Sequence, residues 1–306
     1  MVRLKLSLEL KYEVFGAPAD FVFNIHAART THQQLVAEEL SVSQPVATSV
    51  HTVADSCNRY LRCTAQPGPL SVRYRATVDI EHHFAASEDL PEVPVADLPP
   101  EALGYVYPSR YCQSDRLGRL AIREFGNLPR GHARVLAIRD WVNRRIAFAS
   151  NTSTATTSAV DTLVDQAGVC RDFAHLMIAL CRAVNIPARF TTGIDYGADP
   201  ALGPTDFHAY VEAFLSDRWY MFDPSGTAIP MGFVRFGTGR DAADVAFATI
   251  FGSVASQAPV IEVEAVRDAE RGFIMPFHTT KGISTDSGVS GGQAARTGQA
   301  GLASQR

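Results

Sequence analysis

From Val2 to Val14 every even position is apolar or aromatic (Val2, Leu4, Leu6, Leu8, Leu10, Tyr12, Val14), and every odd one is polar or charged. A period of two is met only by an extended strand with one face buried and the other wet. That apolar face needs a second layer to cover it, so the start of the chain commits it to layered β-structure. The pattern returns at Phe21, Phe23 and Ile25. After the turn QPGP (66–69) it returns again at Leu70, Val72, Tyr74, Ala76, Val78 and Ile80. Residues 1–86 therefore predict an antiparallel β-sandwich domain. Nothing in it has the look of a catalytic set.

The composition then shifts. SEDLPEVPVADLPPEAL (87–103) carries four prolines and five acids, which predicts a linker over 87–104 with a short helical start. Helical spacing follows in RVLAIRDWVNRRI, with Val135, Ile138, Val142 and Ile146 on one side. A shorter helix is predicted at about 158–167, with Ser158 as N-cap, Asp161 three residues on, and Gly168 as its stop. From Cys170 another helix shows Phe173, Leu176, Met177, Leu180 and Val184 as one buried stripe. After Pro187 the chain turns to strand patterns, ARFTTGI, FHAYVEAFL and WYMFD, with a last strand VIEVEAV at 260–266. Residues 105–280 are thus predicted to form a second domain, a core of helices packed on an antiparallel sheet. The tail from 281, rich in Gly, Ser, Ala and Gln, is expected to be disordered. The fold class is α+β.

With 306 residues, 46% of them hydrophobic, the chain can bury real cores, and its net charge of −4 argues against nucleic acid as a partner. No apolar run approaches membrane-spanning length, and the alternating N-terminus does not read as a signal peptide. Five cysteines (Cys57, Cys63, Cys112, Cys170, Cys181) without C-x-x-C spacing favour free thiols in a reducing, cytoplasmic setting. No metal or other cofactor is expected, since H-E-x-x-H is absent and His82–His83 would point to opposite faces of a strand.

Cys170 is the residue that chemistry singles out. It falls at the start of a helix, where unpaired N–H groups and the positive end of the dipole favour a thiolate. An ordinary thiol is only ~3% ionised at pH 7. Lowering its pKa to roughly 6 takes ~3.4 kcal/mol, and a helix terminus supplies about 0.3–2. A second charge is needed. His208, on DFHAYVEAFL, is the best placed of nine histidines, and Asp223 follows in WYMFDPSG. If the two strands form a hairpin with a two- or four-residue loop, His208 and Asp223 share a face, directly opposite or one diagonal step apart. Asp223 would then orient His208, and His208 would act as base for Cys170. Cys181 and Trp141 read as core, His175 as structural, and Asp172 as a helix-dipole partner. YPSRYCQSD (107–115) and GRDAADVA (239–246) read either as packed linkers or as cleft-lining segments carrying Arg110, Tyr111, Asp115, Arg240 and Asp241.

GVCRDFAHLMIALCRAVNIPARFTTG, DFHAYVEAFLSDRWYMFDPSG and GRDAADVA, in that order, resemble the three motif blocks of bacterial transglutaminase-like proteins, in the papain-like superfamily. The resemblance covers roughly 105–266, and the β-rich front resembles the N-terminal domain that often precedes that core. It implies a Cys170, His208, Asp223 triad and a thioester formed by attack on a carboxamide or peptide carbonyl. Water would complete hydrolysis of a peptide or protein; an amine would complete glutamine transamidation instead. N–H groups at the start of the Cys170 helix would hold the oxyanion, with Gln166, four residues ahead, as candidate side-chain donor. The family also includes inactive binding modules, so a non-catalytic peptide-binding role is a third reading. It further implies a functional link to ligases that build amide bonds.

Overall fold

The structure is a computed structural model in which residues 1–197 and 205–288 are described. β1 (Val2–Val14) pairs along its whole length with β6 (Gly68–Ile80), Val2 opposite Ile80 and Val14 opposite Gly68. Every even residue of β1 is buried, as its alternation demands. β3 (Gln33–Val42) extends this sheet beyond β6. β2 (Ala19–Phe23), β4 (Thr48–Thr52) and β5 (Arg59–Ala65) build the facing sheet. Between the layers the Tyr12 ring lies 5.2 Å from Phe21 and 5.9 Å from Phe23. This is the expected sandwich.

β7 (His83–Ala85) leads into the proline-rich linker and α1 (Pro100–Leu103). Next comes α2 (Ser114–Phe125), a helix outside the sequence expectations. Its buried residues Ser114, Leu117, Ala121 and Phe125 recur at helical spacing, so the periodic signal is present in the sequence although the net polarity of the segment masks it. α3 (His132–Arg145) matches the spacing read from RVLAIRDWVNRRI. β8 (Ala147–Phe148) and β9 (Ala167–Gly168) pair in parallel around α4 (Ala159–Asp165). α4 begins as expected, the Asp161 carboxylate accepting from the Ser158 N–H at 2.9 Å and from its hydroxyl at 2.6 Å. Its stop differs: Gln166, not Gly168, turns left-handed (φ 54°) and ends the helix.

α5 (Cys170–Ala183) is buried from Asp172 to Arg182, a central helix enclosed on all sides instead of one stripe on a surface. It packs on the sheet β12-β11-β10-β13, made of β10 (Ala188–Asp195), β11 (His208–Leu215), β12 (Arg218–Phe222) and β13 (Phe233–Gly239). Every residue of β10, β11 and β13 is buried. α5 shares one core with Phe190, Val211 and Phe222, while Tyr210, Met221 and Phe233 belong to the core of the sandwich. Covered on both faces, these strands show no clean wet face, and their buried charges pair within the sheet, Glu212 with Arg189 and Arg235.

The domain boundaries expected from sequence are corrected at two places. β14 (Ala248–Phe251) leaves the core and pairs with β2, while β15 (Val254–Ser256) and β16 (Val260–Val266) pair with β1. The sandwich is thus discontinuous in sequence, because the edge of β1 away from β6 needs a partner and residues 254–266 provide it. The ordered chain also extends past 280. β17 (Gly282–Ser284) pairs with β7, and Asp286 accepts from Arg189 at 3.0 Å. A Cβ at residue 282 would stand 2.5 Å from Leu90, so glycine is what lets this strand dock. The rest of the expected disordered tail, 289–306, lies outside the described residues.

β13 ends the core sheet, and an edge strand leaves backbone groups to be paired. Side chains of the sandwich pair them. Gln33 donates to the Arg235 carbonyl (2.9 Å) and accepts from the Arg235 N–H (2.9 Å). Asn58 does the same at Thr238, at 2.9 and 2.8 Å.

Candidate active site

Cys170 is the first residue of α5, and its N–H finds no acceptor among the described residues. The helix start is held by Asp172, fully buried, whose carboxylate accepts from the Val169 N–H at 2.9 Å. This is the dipole-matched position expected of Asp172. Gly168 makes room for it, since a Cβ there would lie 2.7 Å from the Asp172 Cβ. The half-buried Cys170 sulfur stands 3.8 Å from the carbonyl oxygen of Phe207, which brings the start of α5 to the start of β11.

The β11–β12 hairpin turns through Ser216 and Asp217 alone, Leu215 lying opposite Arg218 and Val211 opposite Phe222. Ser216 takes the left-handed conformation (φ 55°) that two-residue turns require. The loop length is therefore even. His208 and Asp223 lie on one face, a diagonal step apart, and His208 Nε2 is 3.4 Å from Asp223 Oδ1. Both side chains are buried. The Phe233 ring stacks on the imidazole at 5.2 Å between centroids.

Burial alone would push the imidazole toward its neutral form. The charge and hydrogen bond of Asp223, with the Cys170 sulfur adding to them, outweigh burial and hold the His208 pKa well above its ordinary value. Burial likewise pushes the Asp223 carboxyl up, and the charge and hydrogen bond of His208 override it to leave the group below the usual carboxylate range. Donors from Ser225 and Ala228 add to that. Asp223 Oδ1 accepts from the Ser225 N–H (2.9 Å) and hydroxyl (2.6 Å), and Oδ2 from the Ala228 N–H (3.1 Å). Asn143 then anchors this loop, donating to the carbonyls of Pro224 (3.2 Å) and Ser225 (2.9 Å).

The three residues singled out for chemistry are thus brought together. The Gln166 side chain is solvent-exposed and makes no hydrogen bond among the described residues. Its backbone is what the fold uses, closing α4 and accepting from the Ala147 N–H at 2.8 Å. Cys181 is fully buried core. His175 is fully buried, stacked on Tyr111 at 5.0 Å, and accepts from the Ala242 N–H at 3.1 Å.

The two ambiguous segments are tied to each other over α5. The Tyr111 N–H donates to Asp241 (2.9 Å), and Arg182 donates to Tyr107, Ser109 and Arg240. Arg240 pairs with Asp244 at 3.0 Å, and Asp115 is exposed in the first turn of α2. Ser225, Asn143 and Asp195 were not visible as site residues. For Ser225 a signal existed, because D-P-S-G is a turn in which the Asp side chain captures the backbone two residues on. Asn143 and Asp195 come to the site only through tertiary structure.

Residues 122–224 match the family described as the transglutaminase-like superfamily, and residues 2–101 match the bacterial transglutaminase N-terminal domain. The first match contains Cys170, His208 and Asp223. The chain is similar to a proposed cysteine protease from Cytophaga hutchinsonii. That crystal structure is 38% identical, with a TM-score of 0.86, over 92% of this chain and 97% of that one. The chain belongs to the transglutaminase-like superfamily, with the N-terminal domain of its bacterial members. It is also similar to the uncharacterized Mycobacterium leprae protein ML0607, 32% identical over 37% of this chain and 42% of that one. The uncharacterized Mycobacterium tuberculosis protein Rv2569c is 29% identical over 36% of this chain and 40% of that one. The chain thus matches about two fifths of the length of these curated relatives.

Proposed function

We propose that this chain is a thiol enzyme that cleaves an amide bond of a peptide or protein through a thioester on Cys170. The observation that carries the reading is the Cys170 sulfur at the start of α5, facing an imidazole whose positive charge, once it takes the thiol proton, a buried and fully bonded Asp223 stabilises. The sulfur, its proton passed to His208, attacks the carbonyl carbon. The oxyanion that forms lies near the unbonded N–H of Cys170. As the C–N bond breaks, the imidazolium returns its proton to the departing amine, leaving a thioester and a neutral imidazole. His208 then takes a proton from water, the hydroxide adds to the thioester, and the carboxylic acid leaves as the thiol is restored. Asp223 stays ionised throughout and holds the ring in one orientation.

The test offers a mixed peptide library to wild type and to Cys170→Ala, following new amino termini, ammonia release and uptake of a fluorescent amine into glutamine peptides. New termini or ammonia from wild type alone support hydrolysis. Amine uptake that outruns ammonia release replaces hydrolysis with transamidation. Peptide binding without turnover in either protein, unchanged by alkylating Cys170, rejects the enzymatic reading in favour of a binding module.

A further inference from the structure

Asp195 ends β10 as a carboxylate only 2% exposed, and its Oδ2 has no hydrogen-bond partner among the described residues. A buried carboxylate oxygen without a donor is costly, and such an atom in a native fold calls for a reason. Its position supplies one. Gly193 lies directly opposite His208 across β10 and β11, so Asp195, two residues on, projects from the same face one diagonal step from the imidazole. On the other side Asp195 lies opposite Phe233, the ring stacked on His208. Gly193 has no side chain to stand between the carboxylate and the ring.

The primary partner leaves work for a second one. Asp223 accepts three hydrogen bonds from Ser225 and Ala228, which draw on its charge, and its approach to His208 Nε2 is a long 3.4 Å. Beyond that long approach His208 Nε2 is buried with no other partner among the described residues, and Asp195 Oδ2 has none. We propose that Asp195 is a second carboxylate partner of His208, a positioning residue that helps keep the ring charged and seated beside Cys170. This rests on the reading of His208 as the base of the proposed reaction.

The surroundings agree. Burial and the Asp223 charge push the Asp195 carboxyl up and the His208 imidazolium pulls it down, leaving it above its ordinary value while it still feels the charge of the ring. The groups facing His208 are Cys170 from α5, Asp195 from β10, Asp223 after β12, and the uncharged Phe233 ring from β13. Arg235, on the same face of β13, has its charge paired with Glu212 of β11.

The test is the NMR titration of the His208 ring in protein carrying 15N-labelled histidine, assigned with His208→Ala. It compares wild type, Asp223→Asn, Asp195→Asn and Asp195→Ser, each first shown to be folded by its melting curve. Both Asp195 variants should titrate His208 about one pH unit lower than wild type, and Asp223→Asn lower still. A His208 titration unmoved in a folded Asp195 variant overturns the proposal. The readout needs no substrate, so it stands apart from the fate of the enzymatic reading. Loss of turnover tests Cys170, whereas a moved titration tests Asp195.

Discussion

His208 works against its own burial. An imidazole this enclosed would ordinarily stay neutral, and it is held charged because an ionised carboxylate and a thiol meet it on adjacent elements. The same comparison separates the cysteines. Burial pushes the thiols of Cys63 and Cys181 up and that of Cys112 to about 12, far from any useful reactivity. Iodoacetamide at pH 6 should therefore label Cys170 well ahead of Cys63, Cys112 and Cys181, with half-buried Cys57 as the internal reference. His208→Ala should remove the advantage, as read by peptide mass spectrometry across pH. Equal labelling of all five thiols would contradict the geometry of the site. At this scale the sequence was informative. The types and order of Cys170, His208 and Asp223 were legible, whereas the even loop that puts the last two on one face was a condition that only the hairpin register met. Asp195 was not, since a lone acid ending an apolar strand looks like any strand terminus.

Among the elements, β13 depends most on residues far from it in sequence. Its outer edge is completed by side-chain amides of the sandwich, each matching a donor and an acceptor of one residue. Asn58→Ala would leave the N–H and C=O of Thr238 buried without partners. The expected loss is about 2 kcal/mol in a urea melt, with little change in slope. Asn58→Asp, which keeps the acceptor and removes the donor, should also lose stability. No loss in either variant would mean that water replaces the clamp. Residues 1–86 thus contribute a wall and an edge to the site sheet, something their own alternation could not reveal. Period two says which face of a strand is buried and nothing about what covers it.

Across the whole molecule five histidines are shifted toward the neutral form by burial: His26, His82 and His132 at about 4, His175 at about 3, and His83 to below its ordinary value. Unfolded, each takes up a proton near ~6.5. Between that value and about 4 the unfolded chain binds protons the folded chain refuses, so stability falls as the pH falls through this window. His208 has the opposite sign: raised in the fold, it contributes below ~6.5 and loses that contribution as pH climbs through its folded pKa. Five groups against one predict a net loss on acidification. Urea midpoints followed by tryptophan fluorescence should decline steadily from about pH 6.5 to 4. A flat midpoint over that range would show that these rings reach solvent.

Local chemistry alone determined the strands with one wet face, the capped start of α4, the helix beginning at Cys170, and the two strands that carry His208 and Asp223, leaving the parity of their loop open. Each rests on periodicity or capping, which act over a few residues. Only tertiary structure decided the rest. It chose β16 as the second partner of β1, enclosed α5 on every side, tied the segments around Tyr111 and Asp241 together, docked β17, and set Asp195 beside His208. Those outcomes depend on which buried surface meets which, and pairing between residues far apart leaves no periodic trace in either segment.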